Sequence, residues 1–310
     1  MMRFLLQALL WLGLLHADLL PWEIRPTPDT VLPHITLLDQ KILQLDTVNG
    51  VGVTELSDVT YLPQRQELFF ISDRGRLFRF RAQFGSHAMT LTPLDGHHLH
   101  MPDGKHLKRN KSDSEGLAVD RQGRLWVSFE GKSRVAHVAT DGRIVRSVSL
   151  PKALRDVKKH RSRNKGMESL AWHPKYGLIA ALEYPPKGTK KHHQTLYALS
   201  GKEWHFRAEN IRGTAVSAIE VMDDGNILVL ERAFDKRQFA LVITLKKVYL
   251  DDVRKGRCRT EILGQMSTAG GWSLDNFEGL ARVAPHHYIM VSDDNGNFFQ
   301  KTLLIYFAIK

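Results

Sequence analysis

Acidic residues recur in this chain at a fixed spacing. The stretch DSEGLAVDRQGRLWVSFE (113–130) carries Glu115 and Glu130, fifteen residues apart. GMESLAWHPKYGLIAALE (166–183) repeats the frame with Glu168 and Glu183, and NFEGLARVAPHHYIMVSD (276–293) with Glu278 and Asp293. SDVTYLPQRQELFFISD (57–73) offers Asp58 and Asp73. VSAIEVMDDGNILVLE (216–231) departs, with Ser217 in the first position and Glu231 fourteen residues on. Brought together, nine carboxylates repel one another unless a metal ion or Arg and Lys partners neutralise them. Hard oxygen donors favour Ca²⁺ or Mg²⁺ over zinc. The candidate metal ligands are therefore Asp58, Asp73, Glu115, Glu130, Glu168, Glu183, Glu231, Glu278 and Asp293, with Ca²⁺ the expected ion. Glu115, Glu168 and Glu278 are the candidate catalytic carboxylates. A purely structural reading stands beside this one: each acid accepts backbone N–H bonds that hold neighbouring elements in register.

Cations cluster near these acids. Arg74 and Arg232 directly follow Asp73 and Glu231, and Lys165 closes a basic run (151–165) just before Glu168. With Arg74, Arg232 and Lys165 as substrate-binding candidates, the set suits a phosphorylated ligand held between metal and arginine. Solvated charge for solubility is the plainer reading of each lysine. His97, His98, His100, His106, His192 and His193 fall in two loops of the same kind, as polar filler or as an auxiliary metal site or general acid. No G-x-S-x-G elbow, phosphate-binding P-loop, G-x-G-x-x-G or H-E-x-x-H occurs.

The elements that must position these groups are short strands. Glu115–Val119 is apolar, Asp120–Gly123 is a turn by its chemistry, and Arg124–Phe129 is β-branched and aromatic. Arg134–Thr140 and Arg143–Leu150 alternate around an Asp-Gly hairpin signal. Four antiparallel strands in under 40 residues make one propeller blade. The units begin at 58, 115, 168, 217 and 278, so the count is five blades, or six if a divergent blade hides in a long connection. The last unit has only three strands, and Ile35–Asp46 is the expected fourth, closing the ring between the two ends of the chain. Each fifteen-residue spacing is then one hairpin. It returns the chain to the same end of the blade, and the pairs converge on one mouth of the central channel.

The chain has 310 residues, 43% hydrophobic content and a formal charge of +11, which favours anionic partners. Arg3 followed by an apolar run, Phe4–Leu15, reads as a secretory signal peptide ending near Ala17, with an uncleaved anchor or a buried helix as alternatives. The remainder, 18–310, reads as a single domain. Cys258 is the single cysteine, which excludes an internal disulfide and fits a bacterial periplasmic or secreted protein.

DSEGLAVDRQGRLWVSFE, GMESLAW…LEYP and NFEGLARV…VSDDN resemble the phytase-like domain family, described as having esterase-like activity of phytase, over about Leu43 to Ile309. The resemblance implies an all-β propeller, secreted or periplasmic, with phosphoesterase activity. It carries over to Glu115, Glu130, Glu168, Glu183, Glu278 and Asp293; Ser217 departs from it. Three functions compete: a divalent-metal phosphoesterase acting on phosphorylated small molecules, a non-catalytic propeller binding an anionic ligand or an envelope protein, and a metal-dependent lactonase or esterase. Nucleic acid is not an expected partner, because the basic loops lack interleaved aromatics. A membrane is expected only through an uncleaved leader.

Overall fold

The computed structural model describes residues 18–107, 112–161, 166–190 and 192–310. The predicted leader and Lys165 lie outside them. The chain starts with β1 (Asp18–Pro21), β2 (Ile35–Gln44) and a small hairpin, β3 (Thr47–Val48) with β4 (Val51–Gly52). Blade 1 follows as β5 (Leu56–Leu62), β6 (Glu67–Ser72), β7 (Arg76–Phe84) and β8 (Met89–His98). Blade 2 is β9 (Ser114–Val119), β10 (Leu125–Phe129), β11 (Arg134–Val138) and β12 (Ile144–Val148). After the one-turn helix α1 (Lys152–Arg155), blade 3 is β13 (Met167–His173), β14 (Gly177–Leu182), β15 (His193–Ala198) and β16 (Glu203–Arg207). Blade 4 is β17 (Ala215–Val221), β18 (Ile227–Asp235), β19 (Ala240–Arg254) and β20 (Arg257–Ser267). Blade 5 is β21 (Asn276–Ala284), β22 (His287–Asp293) and β23 (Leu303–Ile309), completed by β2 and then β1.

Five blades form the ring, as the repeat count predicts. Ile35 of β2 pairs with Ile309 of β23, so the two ends of the chain close it as expected. Closure leaves no open edge at the seam. The first strand of every blade, β5, β9, β13, β17 and β21, is innermost and packs beside the first strands of the neighbouring blades. These strands are buried along most of their length, which matches their near-continuous apolar runs.

The apolar core is divided into five clusters, one per blade interface. Phe69 and Leu77 meet Leu117 and Phe129 between blades 1 and 2, while Trp126 meets Leu170 and Tyr197 between blades 2 and 3. Trp204 and Phe206 meet Val216 and Val229 between blades 3 and 4, Ile243 meets Phe277 and Phe307 between 4 and 5, and Phe70 and Phe80 meet Ile289 and Tyr306 across the seam. Each cluster needs its neighbour to exclude water, so the ring is stable only as a whole.

Local chemistry sets the hairpins. Asp120 accepts bonds from the amides of Gln122 and Arg124 and from the Trp126 indole, and Gly123 takes the left-handed conformation (φ 74°) that ends the turn.

Candidate functional site

In every blade the first hairpin carries a β-bulge at the channel mouth. The register slips between Leu56 and Asp58, Ser114 and Leu117, Met167 and Ser169, Val216 and Ala218, and Phe277 and Gly279. The residues extruded there are Ser57, Glu115, Glu168, Ser217 and Glu278. A bulge re-aims one side chain out of the alternating pattern, here into the mouth. One residue past the end of each bulge-facing pairing, the second strand delivers Asp73, Glu130, Glu183, Arg232 and Asp293.

This register moves two expected residues out of the ring. Asp58 sits one position beyond the bulge, where the other blades have Gly116, Ser169, Ala218 and Gly279. Its carboxylate is buried at the centre and accepts the amide N–H groups of Val59 (2.8 Å), Leu117 (2.7 Å) and Leu280 (3.2 Å). It ties blade 1 to blades 2 and 5, as the structural reading of the acids anticipates. Glu231 points away from the channel into blade 4. It is fully buried and holds Lys246 Nζ at 3.1 Å from both oxygens, with Glu209 Oε1 2.8 Å from the same ammonium. Ser57 and Arg232 occupy the places that the sequence frame gave to Asp58 and Glu231.

Among the described residues, the mouth therefore gathers Asp73, Glu115, Glu130, Glu168, Glu183, Glu278 and Asp293 around the Arg232 guanidinium. Arg232 donates to Glu278 Oε1 (2.7 Å) and to Asn276 Oδ1, and its other Nη lies 3.8 Å from Glu183 Oε1. Burial pushes Glu115 and Glu168 well above the usual carboxylate range, and the negative charges of their neighbours push the same way. Asp293 is pushed up to about 8, by burial first and then by Glu278. Asp73 is pushed up to about 6, by burial and by Glu55. Among the described residues, Arg232 is the guanidinium set within these acids, and Arg74 reaches Asp73 from the edge.

Two sets of oxygens lie close enough to share an ion. One comes from Asp113, Glu115 and Glu130, the other from Glu130, Glu168 and Glu183, with atoms within 4.8 Å of one another in each. Glu130 also accepts the Gly166 amide. Asp73 Oδ1 is buried without a hydrogen-bond partner, and its nearest cationic atom is Arg74 Nε at 3.6 Å. Arg74 itself is committed to Glu55, which it grips with Nε (2.7 Å) and Nη2 (2.5 Å).

A cleft of about 660 Å³ starts at Glu183, Arg232 and Asn276 and runs outward past Arg212, Lys236 and Gln300. It merges with a second of about 800 Å³ between blades 3 and 4, lined by Arg161, Arg212, Lys236 and Arg237 around Tyr184. The acid ring thus opens into a basic cleft. His98 and His106 contact each other, with ring centroids 5.5 Å apart, and flank the outer strand of blade 1. His192 lines the basic cleft, and His193 opens β15.

Residues 51–296 match the family described as phytase-like, esterase-like activity of phytase. The chain belongs to this family. No curated protein matches the sequence. The phytase-like chain is similar in outline to virginiamycin B lyase from Staphylococcus aureus (9% identity, TM-score 0.43, covering 94% of this chain and 99% of that one). It is likewise similar to the PQQ-bound aldose sugar dehydrogenase from Streptomyces coelicolor (11%, 0.43, 90% and 99%) and to a luciferin-regenerating enzyme (10%, 0.41, 83% and 92%). At these identities and scores the likeness has no bearing on function.

Sequence reasoning on this phytase-like chain missed Asp113, which lies just ahead of its strand in DSEGL, and the rim residues Arg212, Lys236 and Arg237. The glycine after the acid in both E-G-L-A motifs is the signal that marks the bulge. A Cβ on Gly116 would meet Leu170 N at 2.6 Å, and one on Gly279 would meet Asp58 Cα at 2.8 Å. The innermost strands come too close at these points for any side chain.

Proposed function

We propose that this phytase-like propeller is a secreted or periplasmic hydrolase of phosphoric esters, with a divalent cation held by the carboxylate ring. The observation that carries the reading is a ring of carboxylates, two sets of whose oxygens lie close enough to share an ion, opening into a cleft lined by arginine and lysine. The donor set fits a hard cation: every candidate atom is a carboxylate oxygen, and like charges already strain the ring. Asp113, Glu115, Glu130, Glu168 and Glu183 would hold it, with calcium the best match. When bound, such an ion polarises a phosphoryl oxygen and acidifies a bound water.

The chain's own groups do the rest. Arg232, fixed by Glu278 and Asn276, presents a rigid positive charge at the inner end of the cleft. Arg212 and Lys236 line the same cleft and suit the phosphate of an incoming ester. Asp293, with its proton retained to about pH 8, lies outside both oxygen sets and suits protonation of the departing alkoxide.

The test is phosphate release from phytate and simple phosphomonoesters, with calcium and with chelator. Calcium-dependent release that disappears in folded Glu115→Gln and Glu168→Gln variants supports the reading. No release from folded protein under any divalent metal would leave the ring as a binding site for an anionic ligand or as a fastener.

A further inference from the structure

Two loops on the mouth face carry exposed aromatic rings. The β18–β19 hairpin continues beyond the ring at Arg232 and ends in Phe234, 50% exposed, and Phe239, 82% exposed. The β22–β23 loop on the next blade carries Phe298 and Phe299, 96% and 86% exposed. Single exposed hydrophobes are ordinary, but four phenylalanines on two adjacent tips are not. The cleft that starts at Arg232 has Phe234 on one wall and Gln300, next to Phe299, on the other, so the tips flank its opening. Phe239 also stands in the left-handed region (φ 50°), which costs a bulky residue backbone energy with no burial to offset it. The β22–β23 tip is held out by Asp275, which accepts from Gln300 Nε2 and the Lys301 amide.

The β18–β19 tip is basic on balance, while Phe298 shares its own cleft with Asp46 and Asp294. Lys236 and Arg237 lie between Phe234 and Phe239, and Asp235 accepts the Arg237 amide within the same exposed turn. Lys301 follows the second tip. Aromatic tips flanked by lysine and arginine suit the interface of a bilayer, where rings sit among headgroups and cations meet anionic lipids.

The path of the chain agrees. Asp18 pairs with Gln44 at the end of β2 that lies beside the start of β23, which is the mouth side of blade 5. Asp18, where the described residues begin, therefore lies on the same face and blade as Phe298 and Phe299. We infer that the mouth face docks on an anionic bilayer surface, with Phe234, Phe239, Phe298 and Phe299 entering the interface and Lys236 and Arg237 meeting the headgroups. This goes beyond the hydrolase reading and is independent of it, since docking is read without turnover.

The experiment uses the full chain with vesicles of phosphatidylcholine alone, or with about 30 mol% phosphatidylglycerol. Sedimentation is paired with hydrogen exchange of the bound protein. We expect binding to the anionic vesicles, with exchange slowed at 234–240 and 296–301 and unchanged in the opposite-face turns at 121–123 and 285–286. Phe234→Ser/Phe239→Ser and Phe298→Ser/Phe299→Ser should each weaken binding about tenfold, since side chains this exposed add little to the fold. Lys236→Glu/Arg237→Glu should remove the preference for anionic lipid. The inference is overturned if the chain ignores both vesicles. It is overturned equally if both aromatic variants bind as the parent does with the two loops exchanging freely, which would assign binding to the apolar N-terminal run alone.

Discussion

Removing the Asp58 carboxylate should destabilise the propeller without emptying its site. Three amide N–H groups, from Val59, Leu117 and Leu280, end on its two oxygens in a buried position, and Asp58→Ala leaves all three unmatched. Each orphaned buried donor costs about 1–3 kcal/mol. Relief of the desolvated carboxyl, which burial pushes well above its ordinary range, returns part of that sum. A net loss of about 2–4 kcal/mol follows, or a melting temperature lower by roughly 3–7 °C for a domain of this size. Asp58→Asn should recover only part, because its amide group turns a donor toward one of the three N–H donors. Thermal unfolding measures the loss, and calcium titration of the same proteins measures the site. A variant as stable as the parent but deficient in calcium binding would refute the fastener role and return Asp58 to the ring.

Replacing Arg232 with Met should tighten calcium about tenfold in calorimetric titration, because a positive charge beside Glu183 and Glu278 is gone, and should abolish any phosphate release; unchanged affinity would mean that the ring does not bind the ion. Lys246→Met strands Glu231 and Glu209 and should cost about 3–5 kcal/mol, most of it regained in the double variant with Glu231→Gln; a single variant of parental stability in denaturant would contradict the buried pair. The metal-free protein should lose stability as pH rises. Carboxyls with raised folded-state values favour folding below about pH 4 and lose that advantage through about 6 for Asp73 and about 8 for Asp293. Calcium should offset the loss more at pH 8 than at pH 5, and a melting temperature flat across this range would count against a strained ring.

The five-blade ring was legible because its signals are periodic and local: turn residues, alternating strands and an acid at each end of a hairpin. The seam was legible too, since three strands in the last unit demand a fourth. What could not be read was a one-residue slip. A bulge leaves no mark in alternation, so Ser57 and Asp58, or Glu231 and Arg232, are equally good members of the frame on paper. Only the packing of the inner strands separates them, and it does so by demanding glycine or another small residue after most bulges. In blade 1 that place is taken by Asp58, whose side chain crosses to both neighbours. The basic rim was legible in part, through Arg161 in the run 151–165, but Arg212, Lys236 and Arg237 come from other loops and share no spacing with it.

The seam at β2 and β23 also sets an order of events. Residues 35–44 leave the ribosome well before their partners at 303–309. Until then β1 and β2 cannot join β21 and β22, and the clusters on either side of blade 5 stay open. Joining positions this far apart makes the final step a slow search across nearly the whole chain. A nascent polypeptide is thus kept from locking shut until β23 is available to β2.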